Sequence, residues 1–265
     1  MYSRFQLAKK YLHYLLTASS GKGHGIHSPF VFDFIKNVLN DKKQYDCYAA
    51  TEKKRNALLA DATVIDVKDF GAGSSVIKTN KRAVKNIAAS SLKSKKFSQL
   101  LFRMVNHYQP KTIVELGTSF GITTAYLAGG NSNAAVCTCE GAENIAAIAQ
   151  QIFTDLQIKN VELIPGDFAQ TLKPLLHRVQ SVDFAFVDGN HRKTPTLDYF
   201  AALLKVSHDE TLLVFDDIHW STDMEAAWAE IKQHPAVTLS IDLFFIGIVC
   251  LNGDIKIKQH FTIRF

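Results

Sequence analysis

Val114-Glu115-Leu116-Gly117-Thr118-Ser119-Phe120-Gly121-Ile122-Thr123-Thr124 reads as a strand that runs into a tight turn and then into a helix. Glycine at such a turn lets backbone approach closely, and the first turn of the following helix has unpaired amides. A ligand can therefore lie against residues 117–121. The spacing is G-x-x-x-G, not the G-x-G-x-x-G associated with dinucleotides, which weighs against a nicotinamide cofactor. Glycine at a helix junction also has an ordinary structural explanation, so the loop needs support from its surroundings.

Downstream of this turn, strand and helix patterns alternate. Short apolar runs at 112–116, 134–139, 161–164, 182–187 and 211–215 have strand length, and the segments 122–127, 145–156, 168–176 and 196–204 between them have helical character. This alternation predicts a parallel sheet with helices on both faces. A helix over 224–231 and two strands at about 243–251 and 254–263 follow, with Asn252-Gly253 reading as a hairpin turn between them. The fold class expected is α/β, a Rossmann-like mixed sheet that is mostly parallel and closes on a C-terminal antiparallel hairpin.

Upstream, residues 1–60 read as a helical N-terminal extension. Phe5, Leu7, Ala8, Tyr11, Leu12, Leu15 and Leu16 are expected mainly on one side of a first helix, with Gly21, Gly23 and Gly25 interrupting it. Ser28-Pro29 suits the start of a second, Ser as a cap and Pro in the first turn, with Phe30, Val31, Phe34, Ile35 and Val38 as its apolar stripe. Residues 61–96 read as a basic connector or lid. Asp69-Phe70-Gly71-Ala72-Gly73-Ser74-Ser75 within it superficially resembles a nucleotide loop, but only a short, polar-interrupted run precedes it. The third division is a catalytic domain over 97–265.

Composition narrows the class. With 265 residues, 47% of them hydrophobic and 21% charged, the chain can bury a sizeable core and does not have a disorder-type composition. No apolar run reaches the ~18–20 residues of a membrane span, and the N-terminal residues lack a secretion signal, so no membrane partner and a cytoplasmic location are expected. Cys47, Cys137, Cys139 and Cys250 do not form a disulfide framework; Cys137 and Cys139 share one face of a strand as buried thiols. The net charge of +5 is unevenly spread: residues 71–114 contain no Asp or Glu but include Lys78, Lys81, Arg82, Lys85, Lys93, Lys95, Lys96, Arg103 and Lys111. Such a field favours an anionic partner, and a solvated helix surface explains it equally well.

The polar residues at strand ends carry the chemistry. Glu140 follows the second strand of the alternating region, 25 residues after Glu115, where its carboxylate could accept both hydroxyl hydrogen bonds of a ribose. Asp167, after the third, either accepts from an adenine amino group or caps the next helix. Asp188 and Asp216-Asp217 end the fourth and fifth, bringing carboxylates to one mouth of the sheet. Three hard oxygen ligands suit a magnesium-like ion, and loop or helix capping is the alternative. Adjacent Asp216 and Asp217 can point the same way only if the strand has ended.

These residues, with Phe186-Val187-Asp188-Gly189-Asn190-His191 and Leu213-Val214-Phe215-Asp216-Asp217-Ile218-His219, make residues 97–265 resemble the class I S-adenosylmethionine-dependent methyltransferases, and among them the metal-dependent O-methyltransferases. The resemblance implies a seven-stranded sheet in the order 3-2-1-4-5-7-6 with strand 7 antiparallel. It implies S-adenosylmethionine held by the loop Glu115, Gly117, Thr118, Ser119 and Gly121, with Glu115 and Gly117 flanking the methionine moiety, Glu140 on the ribose and Asp167 near adenine. Asp188 is placed both in the cofactor site and in the chemistry. Asp188, Asp216 and Asp217 map onto the usual ligands of Mg2+ or a similar divalent cation. Catechol-type enzymes carry an asparagine where this chain has Ile218, which shifts the likeness toward a tailoring-enzyme branch in which a histidine comparable to His191 is a proposed base. The expected activity is methyl transfer to a hydroxyl of a small molecule, metal-assisted, with His191 and Asp188 as catalytic residues. His219, Trp220 and Trp228 have structural explanations at least as good as functional ones. The alternatives are a tRNA or other RNA methyltransferase, motivated by the basic stretch, and a noncatalytic adenosyl-ligand-binding or scaffold protein whose N-terminal helices mediate homodimerisation.

Overall fold

The computed structural model describes residues 1–67 and 81–265. In chain order the elements are α1 (Arg4–Thr17), α2 (Pro29–Asp33), α3 (Asp46–Ala60), β1 (Val64–Asp66), β2 (Lys81–Ala83), α4 (Val84–Ser91), α5 (Lys95–Tyr108), β3 (Thr112–Leu116), α6 (Ile122–Gly130), β4 (Ala135–Glu140) and α7 (Glu143–Asp155). They continue as β5 (Val161–Pro165), α8 (Phe168–Val179), β6 (Phe184–Val187), α9 (Lys193–Leu204), β7 (Leu212–Asp216), α10 (Thr222–Gln233), β8 (Leu239–Asp242), β9 (Ile246–Cys250) and β10 (Gln259–Thr262). The main sheet has the strand order β10-β8-β9-β7-β6-β3-β4-β5. The chain divides into two compact units, residues 42–179 and residues 1–41 with 180–265.

In the unit 42–179, β3, β4 and β5 run parallel, with Thr112 opposite Ala135 and Val136 opposite Val161. Tyr48, Phe102 and Tyr126 pack edge-on or tilted around Phe120, Ile122 and Ile145. Phe120, inside the turn after β3, is fully buried and anchors that turn to the core. The segment read as a basic connector or lid contains an antiparallel ribbon, β1 with β2, and the helix α4. The Asp69–Ser75 loop and Lys78 lie outside the described residues.

In the other unit, β6 and β7 are parallel and wholly buried, as continuous apolar runs covered on both faces should be. The antiparallel hairpin is present, but it joins β8 to β9 through Leu243, Phe244 and Phe245, with Phe244 at φ 70°. The hairpin expected at Asn252-Gly253 does not form. Asn252 Oδ1 accepts from the Asp254 amide at 2.8 Å and its carbonyl from the Ile255 amide at 3.1 Å, which makes a local side-chain-stabilised turn. The chain then runs back so that β10 lies parallel to β8, an eighth strand beyond the seven expected.

Helix α1 begins in a capping box: Ser3 Oγ accepts from the Gln6 amide and Gln6 Oε1 from the Ser3 amide. Its apolar residues do not form the single stripe expected. Leu7, Tyr11, Tyr14 and Leu15 pack on Phe244 and Phe245, whereas Phe5, Leu12 and Leu16 face outward. Helix α2 starts with Pro29 in its first turn as predicted, but Ser28 makes no side-chain cap, and the chain continues as a π-helical segment over Phe34–Leu39. Val31, Phe34, Ile35 and Val38 of the predicted stripe are buried. All four cysteines are free thiols.

Candidate active site

The turn after β3 is built on left-handed backbone. Gly117 has φ 103°, Ser119 φ 46° and Gly121 φ 76°, and the last serves as the N-cap of α6. The Gly117 and Thr118 amides both donate to the Cys139 carbonyl, at 3.0 and 3.1 Å, which ties the turn to the end of β4. There Glu140 accepts from the Ser119 amide through Oε2 at 2.8 Å and from the Ala142 amide through Oε1 at 2.9 Å. Two backbone donors thus fix the carboxylate beside the turn. Gly117, Thr118, Ser119, Gly121 and Glu140 are brought together as the sequence suggested.

Glu115 is fully buried beneath the turn. Its Oε2 accepts from Thr124 Oγ1 at 2.5 Å and Thr138 Oγ1 at 2.6 Å, and Thr138 Oγ1 also meets Thr118 Oγ1 at 2.6 Å. Burial pushes its pKa up to about 7, and the two threonine hydroxyls offset only part of that rise. Asp167 accepts from the Ala169 amide at 3.0 Å, so the capping geometry weighed for it is realised at the start of α8. The residues around the turn suit an adenosyl ligand: a fixed carboxylate for a diol, beside backbone open to close approach.

In the unit that holds β6 and β7, Asp188, His191 and Asp217 form a second polar group. His191 Nε2 stands 3.5 Å from Asp188 Oδ1 and 4.0 Å from Asp217 Oδ2. Strand β7 ends at Asp216, and Asp217 turns to φ 53° with its amide donating to the Phe245 carbonyl at 2.7 Å. The strand has therefore ended where adjacent carboxylates required it to. Asp216 is buried in the strand. Among the described residues, no group of three or more His, Cys, Asp or Glu side chains is arranged to hold a metal ion.

A third constellation was not legible in the sequence. His219 Nδ1 meets Glu225 Oε1 at 3.0 Å and its Nε2 meets Asp242 Oδ2 at 2.8 Å, while the ring stacks on Phe244. Glu225 also accepts from Tyr2 Oη at 2.6 Å and Lys10 Nζ at 3.0 Å, and Asp242 from Trp228 Nε1 at 3.2 Å. Burial by itself would lower the His219 pKa, but the hydrogen bonds and charges of Asp242 and Glu225 outweigh it and hold the imidazole above its ordinary value. A groove of about 600 Å³ opens beside this network, with Tyr14, His219, Asp242 and Phe244 among its walls. Trp228 is a core residue, its ring against Gly247. Tyr2 and Lys10 each stand more than 200 positions from Glu225 in sequence, so no local motif could have announced the contact.

Residues 114–218 match a family model described as a methyltransferase domain. No curated protein sequence matches the chain. Among solved structures, the chain is similar to an O-methyltransferase from Bacillus cereus in complex with S-adenosylhomocysteine, at 21% identity, covering 83% of this chain and 97% of that one, with a TM-score of 0.56. It is similar to the S-adenosylhomocysteine-bound methyltransferase PaMTH1 from Podospora anserina, at 14% identity, covering 95% and 98%, with a TM-score of 0.59. The O-methyltransferase TomG from Streptomyces achromogenes, involved in tomaymycin synthesis and bound to S-adenosylmethionine, matches at 17% identity over 80% of this chain and 92% of that one, with a TM-score of 0.55. The chain shares its fold with these methyltransferases.

Proposed function

We propose that this chain transfers a methyl group from S-adenosylmethionine to a hydroxyl of a small molecule. The observation that carries the reading is Glu140, held by the Ser119 and Ala142 amides at the carboxyl end of β4 beside the left-handed turn 117–121. In this reading Glu140 accepts from the ribose hydroxyls, Gly117, Thr118, Ser119 and Gly121 line the methionine end above Glu115, and Asp167 lies near the adenine. Structures of the same fold bound to S-adenosylhomocysteine or S-adenosylmethionine support that choice of cofactor. The cofactor, when bound, supplies a sulfonium-activated methyl group.

The chain's own task is to position the acceptor and move its proton. His191 is the group for the second task. Nε2 stands 3.5 Å from Asp188 and 4.0 Å from Asp217, and in this reading it carries the hydrogen while Nδ1 accepts the proton of the acceptor hydroxyl. The same two carboxylates stabilise the imidazolium that results. The acceptor oxygen bonds to the methyl carbon, the carbon–sulfur bond breaks, and its electron pair returns to sulfur.

The test is transfer of a labelled methyl group to a panel of hydroxylated aromatic and glycosidic compounds. His191→Ala is expected to slow transfer by about 10²-fold or more without weakening cofactor binding. Transfer at an unchanged rate in that variant would remove His191 from the chemistry, and a wild-type chain that does not bind S-adenosylhomocysteine would remove the function itself.

A further inference from the structure

Helix α1 carries apolar side chains on two faces, and only one of them is used within its unit. The inner face is fixed by Leu7, Tyr11, Tyr14 and Leu15 against Phe244 and Phe245, by the Tyr14 hydroxyl, which donates to the Ile263 carbonyl at 2.5 Å and accepts from the Phe265 amide at 3.0 Å, and by the Lys10–Glu225 pair. On the outer face, Phe5, Leu12 and Leu16 fall within about 40° of one another at ~100° per residue. They are 81%, 58% and 75% exposed.

The charge around this face has one sign. Arg4 and Lys9 are exposed beside it, and α1 contains no Asp or Glu. The first carboxylate residue of the chain is Asp33, and Arg4, Lys9, Lys10 and Lys22 precede it. Of these, Lys10 is the one whose charge is met by Glu225.

We infer that α1 is a surface-docking helix for an anionic phospholipid bilayer. A basic helix with Phe and Leu exposed on one face binds by sinking that face into the boundary between headgroups and acyl chains, while its cations meet the lipid phosphates. At 14 residues, α1 is too short to span a bilayer, and no helix among the described residues is long and apolar enough to do so, so the helix lies in the plane of the surface. The side chains of Arg4 and Lys9 can lay their stems along the apolar strip and keep their charges at headgroup level. A second copy of the chain fits this face less well. Three side chains cover a few hundred Å², short of the ~800 Å² per partner of a stable interface. Pairing the face with itself would also gather cations with no acidic residue on the helix to oppose them.

The test uses the full chain with sedimented vesicles of phosphatidylglycerol and phosphatidylcholine in equal parts, and with vesicles of phosphatidylcholine alone. Binding to the mixed vesicles is expected to exceed binding to the neutral ones by about tenfold or more, and to weaken as salt is raised. The triple variant Phe5→Ser, Leu12→Ser, Leu16→Ser should lose this binding and keep its circular dichroism spectrum and melting temperature, because the inner face is untouched. A separate double variant, Arg4→Glu with Lys9→Glu, should lose the preference for the anionic vesicles. The inference is overturned if the wild type does not sediment with the mixed vesicles, or if the triple variant sediments as well as wild type. It is also overturned if light scattering shows a dimer that the triple variant converts to a monomer and vesicle binding is absent.

Discussion

Burial sets the charge state of Glu115, and the consequence is measurable. Its folded pKa, about 7, lies above the unfolded carboxylate range, so the stability linked to its protonation is fully present below the unfolded value and is lost as pH rises through about 7. Wild-type stability toward urea should therefore fall between pH 5 and pH 8.5 by up to a few kcal/mol, and Glu115→Gln should flatten that part of the profile. An identical slope in the variant would contradict the assignment. His219 has the same sign: its raised pKa gives stability that is present below its unfolded value and lost as pH rises through the folded one. Asp242 and Glu225 have the opposite sign. Burial alone would raise both, but their hydrogen bonds, from His219 in both cases and from Tyr2 and Lys10 for Glu225, win and depress them, so their contribution is lost as pH falls. The network is strongest between the carboxylate range and the folded pKa of His219. The stability difference between wild type and His219→Gln should therefore be larger at pH 6 than at pH 9, as read from paired urea titrations. Residues differ in how far the sequence exposed them. Glu140 could be placed because it ends a strand at a set distance from the glycine turn. The clamp on His219 could not, because its partners Glu225 and Asp242 come from α10 and the end of β8, and Glu225 is in turn held by Tyr2, ahead of α1, and by Lys10 within it.

Among the elements, the turn between β3 and α6 is the one whose geometry least tolerates change. A side chain at Gly121 would sit at φ 76° with its Cβ 2.5 Å from Phe153 Cε1, and that ring is itself buried. Gly121→Ala should cost about 2–4 kcal/mol, combining left-handed strain with overpacking, and should show as a lowered melting temperature. A melt within a degree of wild type would mean that the turn is not held as described. The alternation of strand and helix from Thr112 to β7 was readable because β3, β4, β6 and β7 are short, largely buried runs and α7 and α8 each bury one apolar face. The C-terminal strands were readable in kind but not in register. Asn252-Gly253 is a strong hairpin signal, yet Asn252 satisfies the next amides itself, and the hairpin goes to Phe244-Phe245, an aromatic pair that carries no turn signature. Helix α1 differs for another reason: its apolar positions fall on two faces, because Tyr14 and Phe5 lie far apart around the helix while both look like core in composition.

For the whole molecule, the sheet order follows the one implied by family resemblance from β5 through β8, and β10 extends it at one edge. Periodicity alone specified alternation but not order, since long-range strand pairing leaves no local mark in sequence. Chelation tests the part a metal plays: methyl transfer that persists in the presence of a chelator would leave the proton transfer to His191 without metal assistance. Loss of activity on chelation with recovery on adding Mg2+ would restore Asp188, Asp216 and Asp217 as ligands. Calorimetric titration of the full chain with S-adenosylhomocysteine asks whether the turn 117–121 and Glu140 hold the adenosyl cofactor. Saturable binding at one site per chain is expected, weakened by about tenfold or more in Glu140→Ala with the circular dichroism spectrum retained. Absence of saturable binding by the wild type, or equal affinity in the variant, would contradict it.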